Sequence, residues 1–363
     1  MRLRNYLLGT LGLLLVISLL VVWRYLESRP VTLPTPPLKE LSAPHDISVG
    51  NFAIKTHLRD TRYTDILTSQ FDTALIDNTP NWYFTDGGLR PSRDTYNFTQ
   101  MDEVMRFTES HGMRAEAHHF VWGEEKWLPD WLKNGNYQPD EVTRIMQEHI
   151  QTVGGRYAGR VAQWTVVNEA FSRGQHIYGL RDWWADHTGG QTYIDQAFIA
   201  ARAADPHAKL LLNDFGNESL TSISNAMYDY IRDAKARGIP IDGIGMQMHI
   251  DGTHPPTKDE VITNMRRFGD LGIKVYVTEL DVNMNDLPAE PAAKNAIQAN
   301  IYHDMARACI ESGVCVSFSI LGITDSETWY NYMGLADARP LPFDRDYRPK
   351  PAFYRLREAF AQP

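Results

Sequence analysis

Trp164-Thr165-Val166-Val167-Asn168-Glu169 and Val275-Tyr276-Val277-Thr278-Glu279-Leu280-Asp281 are the two stretches on which the reading of this chain turns. Both are runs of β-branched and aromatic residues, whose stiff side chains suit a pleated strand. Neither alternates strictly between apolar and polar, as a strand with one wet face does. They read as parallel strands covered on both faces, each delivering carboxylates at its C-terminal end.

Outward from these two, the same pattern repeats. Strands are expected over 47–54, 71–76, 114–118, 162–167, 209–213, 244–248, 274–278 and 315–320. Helical periodicity falls between them, over 99–110, 140–153, 193–204, 224–237, 258–271 and 292–312. Eight strands interleaved with helices point to the α/β class and a single (β/α)8 TIM barrel spanning 45–363. No Gly-rich fingerprint follows an early strand, which argues against an open doubly wound sheet. In a barrel the strand ends converge on one rim. That rim collects Asp77, Asn78, His118, His119, Asn168, Glu169, Asn213, Asp214, Gln247, His249, Glu279 and Asp281.

The 363 residues carry a net charge of -9, so nucleic acid is not an expected partner, whereas a neutral polymer is. The 9 Trp, 17 Tyr and 14 Phe suit stacking on sugar faces and packing in a core equally well. Arg2 and Arg4 precede an uncharged, mostly apolar run over 6–23, which Arg24 ends without a small-residue cleavage site. Residues 1–29 therefore read as an uncleaved transmembrane anchor, with a cleaved signal and secretion as the alternative. The bulk of the chain is then extracytoplasmic. Pro30, Pro34, Pro36, Pro37 and Pro44 make 30–44 an extended spacer. Cys309 and Cys315 are poorly spaced for zinc; they read as a disulfide or as two reduced core thiols. No histidine or carboxylate spacing suggests a metal, and no cofactor is expected.

Two carboxylates on one rim are what cleavage of a glycosidic bond requires, one as acid and one as nucleophile. Glu169 fits the first role and Glu279 the second. Asn168 is placed to bond a sugar hydroxyl. His249 is placed to donate to Glu279, with Asp281 orienting the imidazole from the other side.

Segments 164–171, 238–249 and 277–282 resemble the signature segments of glycoside hydrolase family 10, best known for endo-β-1,4-xylanases. Further similarity runs through Tyr193-Ile194, Ala204-Asp205-Pro206, Asn213-Asp214, Phe343-Asp344 and Lys350-Pro351-Ala352-Phe353, covering about 51–360. The resemblance implies a retaining double displacement without metal, with Glu169 as acid/base and Glu279 as nucleophile. It implies carboxyls about 5–5.5 Å apart. It also implies a Cys309–Cys315 disulfide, and supporting roles for Asn78, His118, Trp122, Gln247 and Trp329.

The chain departs from the family around the expected glycone pocket. Asp77-Asn78-Thr79-Pro80-Asn81-Trp82 stands where relatives read Glu-Asn-x-Met-Lys-Trp, so Asn81 replaces a lysine. Gly123 replaces a histidine after Trp122, and Leu321-Gly322 replaces Trp-Gly. Either the pocket accepts a sugar, substituent or linkage that a standard xylanase rejects, or neighbours such as His119 and Tyr83 compensate. Trp127, Trp131, Trp183 and Trp184 read as sugar platforms or as packing residues. The expected function is a retaining glycosidase acting on β-linked polysaccharide, xylan first. A transglycosylase or hydrolase working on an envelope or exopolysaccharide, and a non-catalytic carbohydrate-binding barrel, are the alternatives.

Overall fold

The eight expected strands form a closed parallel barrel in the computed structural model, which describes residues 32–77, 88–174, 181–335 and 337–363. The anchor expected over 6–23 and the site residues Asn78 and Asn81 lie outside the described residues. No helix among those described is long and apolar enough to cross a membrane.

The strands are β1 (Ser48–Phe52), β2 (Thr73–Asp77), β3 (Arg114–Trp122), β4 (Gln163–Asn168), β5 (Lys209–Asp214), β6 (Gly243–Met246), β7 (His249–Asp251), β8 (Lys274–Asn283) and β9 (Cys315–Ile320). Each pairs in parallel with its sequence neighbour from β1 to β6, and β9 closes the ring between β8 and β1. β6 and β7 are two pieces of one barrel strand. Met246 pairs with Val277 and His249 with Asp281, and the chain breaks between them at Gln247 and Met248. Met248 is in the left-handed region, at φ 60°.

Interruptions near the strand ends decide which side chains enter the lumen. On β8, Val277 pairs with Phe318 and Leu280 with Ile320, so three steps on β8 match two on β9. The extra residue lets both Thr278 and Glu279 point inward, where strict alternation would send one of them out. On β4 the ladder slips between Thr165 and Val167 against Leu211 and Leu212. Thr165 and Asn168 then face the lumen while Val166 and Val167 join the apolar layer outside.

That outer layer lies between the strands and helices including Pro139–Arg156, Thr192–Ala204, Lys258–Asp270 and Pro291–Ser312. Two further helices, Thr61–Gln70 and Pro351–Ala361, were not marked by the sequence periodicity. They matter for the N-terminal boundary, where the expected spacer is corrected. Leu38–Ser42 is helical, with Leu38 fully buried and its backbone N–H bonded to Gln70 Oε1 at 3.1 Å. Arg357 donates to the Pro36 carbonyl at 2.6 Å. Residues 36–45 thus belong to the domain, because Leu38 has an apolar seat beside the first and last barrel helices. Cys309 and Cys315 are joined as a disulfide across the turn between Pro291–Ser312 and β9.

Candidate active site

Glu279 and Glu169 enter the rim from β8 and from the residue after β4, and a floor of amides spans the space between them. Asn213, from β5, donates through Nδ2 to Glu279 Oε1 and to Asn168 Oδ1, both at 2.8 Å. Gln247 donates through Nε2 to Asn168 Oδ1 at 3.1 Å and to Glu169 Oε1 at 3.3 Å. A carboxylate only accepts, so Glu279 fixes which end of the Asn213 amide faces it. Asn168 must then present its oxygen to Asn213, and Gln247 its nitrogen to Asn168. Thr278 Oγ1 completes the lock by donating to Asn213 Oδ1 at 2.8 Å. Gly245 makes room for this side chain, since a Cβ there would collide with the Asn213 amide.

A second chain of contacts governs the charge on Glu279. Trp329 Nε1 donates to Asp281 Oδ2 at 2.7 Å and the Tyr330 hydroxyl to Oδ1 at 3.2 Å. Asp281, fully buried, holds His249 Nδ1 at 3.1 Å, and His249 Nε2 faces Glu279 Oε2 at 3.6 Å. Burial works against a charged imidazole, but Asp281 and Glu279 outweigh it and hold His249 well above its ordinary value. Burial pushes Glu279 upward. His118, at 3.7 Å from Oε1, together with His249 and Asn213 overcomes that and holds the carboxyl below its ordinary value. Burial also pushes His118 down, below its ordinary value.

Glu169 sits at a sharp turn, with φ 59° and its N–H bonded to the Asn213 carbonyl. The short helix Ala170–Gly174 starts at once, and Asp214 Oδ2 accepts from the backbone of Phe171 and Ser172. Burial raises Asp214 to about 7. Glu169 Oε2 accepts from Trp122 Nε1 at 2.7 Å and from Arg173 Nε and Nη2 at 3.0 and 2.7 Å. Arg173 Nη2 also meets Glu124 Oε2 at 2.9 Å.

The structure thus brings together Glu169, Glu279, His118, Trp122, Asn168, Gln247, His249, Asp281 and Trp329. Asn213 was visible only as a strand-end residue, and Arg173, Glu124 and Tyr330 were not singled out. The i to i+4 spacing of Glu169 and Arg173 was the available signal for that pair. Trp183 and Trp184 are buried, Trp184 donating to the Trp122 carbonyl, and Trp131 donates to the Arg90 carbonyl. These three pack the shell. Gly123 lies against Asp182, and any Cβ at 123 would strike that carboxylate. Beside His249 a cavity of about 430 Å³ opens, lined by Glu218, Ser219, Asp251, Pro255 and Glu260.

Residues 37–359 match the family model described as glycosyl hydrolase family 10. Endo-1,4-beta-xylanase B of Thermotoga neapolitana is 31% identical over 297 residues, covering 82% of this chain and 83% of its own length. A beta-1,4-xylanase of Dictyoglomus thermophilum is 30% identical over 353 residues, covering 94% and 96%. Among solved structures, xylanase 10B of Thermotoga petrophila in complex with xylobiose superposes with a TM-score of 0.83. It is 31% identical, over 91% of this chain and 98% of that one.

Proposed function

The chain belongs to glycosyl hydrolase family 10, and from that premise we propose that it cleaves β-1,4-xylan or a close relative by double displacement at Glu169 and Glu279. The observation that carries the reading is the pair of rim carboxylates joined by one amide floor, with Glu279 held below its ordinary value by His118, His249 and Asn213. Glu279 attacks the anomeric carbon while Glu169 passes a proton to the leaving oxygen, forming a covalent glycosyl-enzyme. Glu169 then takes a proton from water, which releases the sugar with its configuration retained. Asn168 stands where its amide nitrogen can bond the sugar hydroxyl nearest the reacting carbon, and Asn213 holds Asn168 and Glu279 in place from below.

The xylan assignment rests on the relatives, which are named xylanases. The departures at Asn81, Gly123 and Leu321 favour a glycone pocket that admits a substituent or linkage beyond plain xylose. Asp182 occupies the space that a side chain at 123 would take, so the histidine that relatives carry there has no room in this chain. The apolar run 6–23 supports a membrane-held, extracytoplasmic domain, and the Cys309–Cys315 disulfide is consistent with an oxidising compartment.

Reducing-sugar release from xylan, arabinoxylan, glucuronoxylan and mixed-linkage glucan tests the reaction. Turnover should vanish in Glu279→Ala and return with azide as an α-glycosyl azide. Azide added to Glu169→Ala with a dinitrophenyl β-xylobioside, whose leaving group needs no proton, should give the β-azide. Silence of the folded wild type on every glycan would overturn the reading and favour a binding role. Membrane fractionation of cells making the full chain tests the anchor, and recovery from the medium would mean secretion.

A further inference from the structure

Glu169 is bound asymmetrically, and the asymmetry determines where a proton can sit. Oε2 receives three N–H donors, one from Trp122 and two from Arg173. Neither an indole nor a guanidinium can accept a hydrogen bond. A proton on Oε2 would therefore face only donors, and it would displace at least one of them. Among the described residues, the hydrogen bond to Oε1 comes from Gln247 alone, and it is long at 3.3 Å. Gln247 cannot turn its oxygen towards Oε1 without losing Asn168, because the amide polarity is set from Glu279 through Asn213.

We propose that Arg173 is a positioning residue that assigns the transferable proton of Glu169 to Oε1. The inference rests on the glycosidase reading given above. By occupying Oε2, Arg173 and Trp122 leave the proton on the oxygen for which no described residue supplies an acceptor, so it is free to meet the glycosidic oxygen. Glu124 holds the same Nη2 of Arg173 at 2.9 Å, and the Arg173 side chain is only 5% exposed, so the guanidinium has little freedom to leave. Its Cζ also lies 5.5 Å from the Trp122 ring, tying the two donors into one unit. The other titratable groups that interact with Glu169 are His118 of β3 and Asp214 of β5. Neither of them donates to Oε2.

The test compares Arg173→Met and Arg173→Lys on two aryl β-xylobiosides, one with a dinitrophenyl leaving group and one with a methylphenyl group. A good leaving group departs without a proton, and a poor one needs it. Arg173→Met should lower kcat/KM on the methylphenyl glycoside by on the order of 100-fold and leave the dinitrophenyl glycoside within a few-fold. Arg173→Lys, which keeps one donor on Oε2, should restore part of the loss. Equal losses on both glycosides, or none on either, would overturn the proposal. Neutron diffraction of the full chain in heavy water at acidic pH reads the same point without a substrate. A deuteron on Oε1 supports the proposal even if the enzyme ignores xylosides, and a deuteron on Oε2, or on neither oxygen, sinks it.

Discussion

His249 lies between two carboxylates, and with His118 it keeps Glu279 below its ordinary value. Asp281 is the larger of the two influences that hold the imidazole protonated. In Asp281→Asn the imidazole should lose its proton more readily, and Glu279 should then rise. In the proposed mechanism Glu279 attacks as a carboxylate, so activity falls on the acid side as it takes up a proton. The acid limb of the kcat/KM profile should therefore move to higher pH in Asp281→Asn, as read from initial rates across the pH range. A second buried carboxyl behaves in the opposite sense. Glu116, on β3 and fully buried in the lumen, is raised by burial from 4.5 to about 8, with Gln163 as its polar neighbour and Glu279 adding repulsion. A raised folded value means that the native state holds the proton more tightly than the unfolded chain. Its contribution to stability is complete below about 4.5 and is lost progressively as pH rises through about 8. Glu116→Gln should flatten the decline in Tm across that window, which thermal melts at a series of pH values will show.

At the scale of elements, the site is made by the irregular ends of strands. The extra residue on β8 sends Thr278 and Glu279 inward together, and the slip on β4 does the same for Asn168. Gly245 on β6 is the complement to these bulges, because the Asn213 side chain occupies the space its Cβ would take. Gly245→Ala should push Asn213 off Glu279 and lower kcat at least tenfold. Its overpacking cost should be about 1–3 kcal/mol, measured by urea denaturation. A contrast lies at the start of a covering helix. Thr257 and Glu260 form a capping box at the start of Lys258–Asp270. Thr257→Ala should cost about 1 kcal/mol and leave kcat unchanged.

Across the whole molecule, the domain closes on itself through its two ends. The Leu38–Ser42 helix sits beside Thr61–Gln70 and Pro351–Ala361, through Leu38 to Gln70 and Arg357 to Pro36. A chain beginning at residue 46 would lose both ties and uncover apolar surface on the outer helices. It should melt several degrees below a chain beginning at residue 32, whereas Leu38→Ala in the full chain should cost about 2–5 kcal/mol. Equal melting of the two shortened chains would show that the N-terminal helix contributes nothing to the fold.

Composition and periodicity alone determined the barrel, because a strand covered on both faces must be apolar throughout and a helix covering it must repeat every 3.6 residues. Those are local properties, and they also marked Glu169, Glu279, His249 and Asp281 as strand-end residues. The Leu38–Ser42 helix escaped because five residues among prolines show too little periodicity to reveal a buried face. What tertiary structure decided was the direction of each side chain at the rim. Asn213 bridges three strands, Arg173 closes on one oxygen of Glu169, and Asp281 draws Trp329 and Tyr330 from a loop after β9. Bulges and a left-handed turn at Glu169 set those directions. They depend on the register against neighbouring strands, where one extra residue reverses which face a side chain takes.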